Sequence, residues 1–179
     1  MSVTRWLAWS AAVIASALVA GTVPTPALRA DLTRLQHQQA MQHSELRQRF
    51  DQAVVMLHAH QYEHAATALY RVLELAPTLP EAHVNMGYTM LGLKRGDAAR
   101  GFFLSAIDLR PDQANAYYGL AMAEEQRADL QAALGGMRSY LHLARADAPH
   151  RVRARAALWE WEEALGRHAP GAASAPSAR

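Results

Sequence analysis

Between residues 46 and 147, apolar and small residues recur with two nested periods. The shorter one is helical. His83, Met86, Gly87 and Met90 fall at i, i+3, i+4 and i+7, and Ala99, Phe103 and Ala106 repeat that spacing on the following stretch. Each set predicts a helix with one face turned inward. The longer period is 34 residues. Shifting the chain by that amount superposes Ala65, Ala99 and Ala133; Leu69, Phe103 and Met137; Leu73, Ile107 and Leu141; and Ala53, Gly87 and Ala121. Pro77 and Pro111 stand one period apart, each after an apolar helical stretch. Proline lacks an amide proton and clashes with the turn before it, so each is expected to end a helix. Gly96-Asp97 is expected to punctuate the turn between the two helices of its unit. A lone helical pair cannot bury its apolar face, so such units must stack on their neighbours.

In frame, the units are 46–79, 80–113 and 114–147. The middle unit carries Met86-Gly87, Ala99, Phe103, Ala106 and Pro111, and in these positions it resembles the tetratricopeptide repeat, a helix–turn–helix of the same length. The third unit keeps Leu120-Ala121 and Ala133. It has Glu124 where the family usually has a large aromatic and Tyr140 where it usually has a small residue, and its terminal proline slips to Pro149. In the first unit Arg49 and Gln52 stand where apolar packing residues are usual, as suits a first repeat with no neighbour before it. The resemblance implies an all-α fold, a right-handed α-solenoid of three repeats. A capping helix over residues 148–166 is expected to close it, with Ala154, Leu158, Trp161 and Leu165 as an inward stripe. Residues 31–45 read as a polar spacer helix and residues 167–179 as a disordered tail.

The resemblance further implies that the first helix of each repeat lines a concave groove through its second, fifth, ninth and twelfth positions. These are Arg47, Phe50, Val54 and Leu57 in the first repeat. In the second they are Glu81, Val84, Tyr88 and Leu91, and in the third Asn115, Tyr118, Met122 and Glu125. Eight of these twelve are apolar or aromatic, which makes a protein segment with apolar anchors the expected ligand. Some family members grip a C-terminal carboxylate with Lys, Asn and Arg. The corresponding places here hold Phe50, Val54, Asn85, Asn115 and Gly119, of which only Asn85 fits. Two other uses of the groove stay open: occupation by the Leu32/Leu35 segment, and pairing of two protomers into a homo-oligomer.

Ahead of the repeats, Leu7–Val23 has no ionisable residue, and Pro24 and Pro26 follow it. Two readings of residues 1–30 compete. One is a cleaved secretory signal with its apolar region over Leu7–Ala20. The other is a retained inner-membrane anchor over residues 6–23, whose 18 residues rise about 27 Å. Both put the rest of the chain outside the cytoplasm, in a bacterial periplasm. The remaining alternative makes the segment a buried helix of the fold.

Composition narrows the chemistry. The chain has no cysteine, so thiolate metal sites and disulfides are excluded. Alanine supplies 38 of 179 residues, which favours helix. Between Asp31 and His168 there are 15 basic and 16 acidic residues, so no basic face is expected to bind nucleic acid. Glu124-Glu125 and Glu162-Glu163 are adjacent pairs that diverge on a helix, no serine sits in a nucleophile elbow, and no glycine-rich phosphate loop occurs. The expectation is a non-catalytic adaptor with no cofactor, no metal and no catalytic residues, serving an envelope assembly through a protein partner. A periplasmic copper-handling protein is the alternative, because His58, His60 and His64 cluster with Met56. A self-associating scaffold is the third reading.

Overall fold

A computed structural model describes residues 25–168 of the chain. These form seven helices and no strand: α1 Pro26–His58, α2 Tyr62–Leu75, α3 Pro80–Gly92, α4 Gly96–Leu109, α5 Ala114–Gln126, α6 Leu130–Leu143 and α7 Arg151–His168. From the end of α1 to the end of α6 the boundaries repeat every 34 residues. His58, Gly92 and Gln126 end first helices, Tyr62, Gly96 and Leu130 begin second ones, and Leu75, Leu109 and Leu143 end them. The architecture is an all-α, right-handed solenoid of helical hairpins closed by α7.

The same backbone device makes each turn inside a hairpin. His60, Lys94 and Ala128 have φ of 59°, 61° and 62°. At each, the amide of the left-handed residue bonds three residues back and the next amide bonds five back, as in Lys94 N to Leu91 O and Arg95 N to Met90 O. This is the Schellman ending, which satisfies carbonyls that the helix itself leaves unpaired. The reversal therefore falls at Lys94, two residues before the expected Gly96-Asp97, and Gly96 opens α4.

Hairpins join one another through a second recurring contact. The fourth residue of the second and third units reaches back to the turn that follows the preceding helix. His83 Nε2 donates to the Pro77 carbonyl at 2.8 Å and Tyr117 Oη to the Pro111 carbonyl at 3.1 Å. Arg151, in the same phase on α7, donates to the carbonyls of Leu141 and Ala144. Chemistry differs at the three positions, but each donor closes carbonyls at the end of a helix or in the turn just after it.

Two aromatic side chains anchor the interior. Phe103 of α4 lies fully buried between α3 and α5, where a Cβ on Gly87 or on Gly119 would overlap its ring. The glycines let two neighbouring first helices close on one aromatic. In the last hairpin Met137 is the buried counterpart of Phe103, and Tyr140 beside it is buried edge-on to Tyr118 at a centroid distance of 5.1 Å. Ala154 and Trp161 of α7 are buried over that cluster, and Leu158 and Leu165 pack against it.

Contacts divide the chain at Glu45/Leu46. Where a spacer helix and a separate repeat helix were expected, α1 runs unbroken, because Glu45-Leu46-Arg47 contains neither glycine nor proline. Its described residues before Leu46 are exposed except half-buried Leu32. No helix of the described residues is long and apolar enough to cross a membrane. The apolar run 6–23, expected as signal or anchor, and most of the 167–179 tail lie outside the described residues.

Candidate functional groove

The ends of three consecutive first helices converge on a cleft of about 600 Å³. Leu57, Leu91 and Glu125 enter it from the twelfth place of their units, and His58, Gly92 and Gln126 from the thirteenth. Tyr62, the first residue of α2, lies across Gly92 so closely that any Cβ there would overlap the ring. Glycine thus lets the aromatic into the wall. Tyr88 and Met122 complete an apolar floor, and His58, His60, Lys94, Glu125 and Gln126 supply polar groups.

The polar groups are partly committed. His60 Nδ1 and the Tyr62 hydroxyl share a hydrogen bond of 2.7 Å. Gln126 Nε2 donates to the Leu91 carbonyl, and Glu125 Oε1 accepts from Trp161 Nε1 at 3.0 Å, which ties the floor of the third repeat to α7. Tyr88 donates to the Asn115 carbonyl at 3.0 Å, and its ring stands edge-on to Phe103 at 5.1 Å. Burial, with smaller contributions from Tyr118 and Tyr140, pushes the Tyr88 hydroxyl well above the ordinary phenol range. It acts as a neutral donor and not as a base.

Of the twelve expected groove residues, Leu57, Tyr88, Leu91, Met122 and Glu125 line this cleft. Phe50 and Val54 are half-buried farther back on α1, and Arg47 and Asn115 are exposed. Glu81 pairs with Arg110 inside the second repeat, joining the start of α3 to the end of α4. Val84 and Tyr118 were expected to be exposed, and each is only 5% exposed. Val84 belongs to the core around Phe103, and Tyr118 is stacked under His150 at 4.7 Å, so neither offers a free surface. His58, His60, Tyr62, Lys94 and Gln126 were not anticipated. The helical spacing used for the groove stops at the twelfth place, whereas His58 and Gln126 end their helices, His60 and Lys94 sit in the reversals and Tyr62 opens the next helix, so the signal lay in the turns and not in the helix face.

Other polar constellations are structural. Glu124 is 4% exposed, yet its carboxylate is held by Arg100 Nε at 2.7 Å and by Arg127, which also binds Asp97 at 2.6 Å. A charge at this depth is tolerated only when paired, and here the pairing joins α4 to α5. The hydrogen bond to Asp97, then that to Glu124, raises the Arg127 pKa further. Glu162 pairs with Arg138. Among the described residues, no group of three His, Asp or Glu side chains is placed to hold a metal ion.

Neither the protein-family models nor the curated proteins contain a match to this sequence. Solved structures do match in fold. The first tetratricopeptide repeat domain of Spaghetti (RPAP3), bound to the HSP90 peptide SRMEEVD, is 18% identical with a TM-score of 0.63, covering 69% of this chain and 94% of that one. The type III secretion chaperone SycD of Yersinia enterocolitica, in complex with a peptide of the translocator YopD, is 14% identical with a TM-score of 0.63, over 68% and 95% of the two chains. The Sgt2 domain of Aspergillus fumigatus is 18% identical with a TM-score of 0.64, over 75% and 91%. At such identities the likeness is one of fold, that of tetratricopeptide repeat domains.

Proposed function

We propose that this chain is a non-catalytic binding module whose cleft holds an apolar segment of a protein partner. The observation that carries this reading is the cleft floor. Leu57, Tyr62, Tyr88, Leu91 and Met122 come from three successive repeats and face one space of about 600 Å³, which His58, His60, Lys94 and Glu125 also line. A cleft lined by several apolar and aromatic side chains with a few polar groups suits an anchor side chain on an extended or helical ligand. Two structures of the same fold hold peptides, one from HSP90 and one from YopD, which supports a peptide-sized ligand here.

The module is proposed to work in a bacterial periplasm on an envelope assembly, either freed from residues 1–30 or tethered by them. That part of the reading rests on the uncharged run Leu7–Val23 and the prolines after it. The partner's identity is left to experiment. A photoreactive residue placed at Leu57 in the full chain, and separately at Leu109 on α4, distinguishes the cleft from elsewhere on the surface. The expected result is capture of a defined protein from position 57 and not from position 109. A Met122→Glu chain should then bind the purified partner about tenfold more weakly or worse, because a carboxylate would be buried against an apolar anchor. Equal capture from both positions removes the cleft from the mechanism.

A further inference from the structure

The outer face of α7 presents an apolar stripe that nothing in the described residues covers. Val152 is 82% exposed and Trp159 66% exposed. With Ala156 and Glu163 they occupy i, i+4, i+7 and i+11, one line along the helix. The buried stripe of Ala154, Trp161 and Leu165 lies on the opposite side. α7 is therefore apolar on two faces, and only one of them is used by the array.

Charge along α7 is segregated by sign. Arg151, Arg153 and Arg155 stand in its first half, and Glu160, Glu162 and Glu163 in its second. This order opposes the helix dipole, which favours acids at the N-terminus and bases at the C-terminus. Among the described residues it brings no compensating pair for Arg153, Arg155, Glu160 or Glu163, whereas Arg151 is spent on carbonyls and Glu162 on Arg138. A second α7 running antiparallel removes the conflict, because each basic half then faces an acidic half and the two dipoles oppose.

We propose that two copies of this chain pair through α7 in an antiparallel, two-fold arrangement centred on Ala156. Val152 then meets Trp159 of the partner subunit, and Trp159 meets the partner's Val152. Arg153 reaches Glu160 of the partner subunit on the flank, and the symmetry repeats that pair. Ala156 faces its own counterpart, where a methyl group permits the helices to approach closely. Each contact falls on the exposed face and leaves the cleft and the inner stripe untouched. One helix pair covers less than the roughly 800 Å² per partner of a standard interface, so the association is concentration-dependent and not obligate.

The absence of native cysteine makes the register directly readable. Ala156→Cys, Val152→Cys and Glu163→Cys are each made in the full chain as its sole cysteine, at exposed positions, and oxidised mildly. In the proposed pair, equivalent residues at 152 lie about 12 Å apart along the axis and those at 163 about 21 Å, both beyond disulfide reach. Ala156→Cys should form covalent dimer about tenfold faster than either of the others. Adding Arg153→Glu should abolish that dimer, and adding Arg153→Glu together with Glu160→Arg should restore it. No dimer from Ala156→Cys overturns the proposal. So do equal rates at the three positions, which a parallel or collisional contact would produce, and so does indifference to the charge reversal.

Discussion

Ala128 occupies the left-handed region at φ 62° with nothing in its side chain to favour it. The Cβ clash in that region costs roughly 1–2 kcal/mol, part of which glycine would return as greater freedom of the unfolded chain. Ala128→Gly is therefore expected to stabilise the protein by about 1 kcal/mol, seen as a higher urea midpoint with unchanged slope. A lower midpoint would mean that the reversal does not constrain the backbone as described. His60 and Lys94 carry the same backbone demand, and both also line the cleft. Their side chains contribute polar groups to the cleft wall that glycine could not. Glu124 makes a related point. One period earlier the same place holds buried Met90, and the third repeat accommodates a carboxylate there only because Arg100 and Arg127 close on it.

Helices approach where their residues are smallest. Gly87 and Gly119 face the two sides of Phe103, and Gly136 lies against Ala121 and the backbone of α5. Neither Gly87 nor Gly119 has an unusual backbone, so their value is space and not flexibility. Gly119→Ala should force the Phe103 ring aside and cost about 1–3 kcal/mol, as overpacking does. The measurement is chemical denaturation, and the double variant Gly119→Ala/Phe103→Leu should recover part of the loss. If Gly119→Ala costs nothing, α5 is not pressed against the ring. The same helices are locked lengthwise by His83, Tyr117 and Arg151, each bonding to the end of the preceding hairpin.

In a stacked array, each hairpin leaves its neighbour's face to be covered by the next, so the final face decides whether the structure holds. α7 covers it with Ala154, Leu158, Trp161 and Leu165, and Trp161 also donates to Glu125 at the cleft. Ending the chain after His150 should cost about 3 kcal/mol or more, because the apolar contacts of a Trp and two Leu side chains are lost. Thermal unfolding monitored by circular dichroism would register this. A truncated chain as stable as the full one would show that α7 is dispensable to the solenoid. Closure and pairing use opposite faces of α7, so at protein concentrations too low for pairing Trp159→Ala should leave thermal stability unchanged while Trp161→Ala lowers it.

The amino-acid sequence alone determined the class, period and phase of the fold. Alanine, glycine and proline at 34-residue intervals encode helix, close approach and termination locally, and local encoding survives without knowledge of the partner surfaces. Five of the twelve residues it offered for a groove, Leu57, Tyr88, Leu91, Met122 and Glu125, line the cleft. Tertiary structure decided the rest. Whether Val84 and Tyr118 face solvent depends on how far neighbouring helices advance and on where His150 folds back, which no residue spacing states. The reversal at Lys94 instead of at Gly96 follows from a left-handed backbone that carbonyl pairing imposes on a lysine against its own preference. The second apolar face of α7 became visible only once the first had been used, because a face is unpartnered only relative to a packed neighbour.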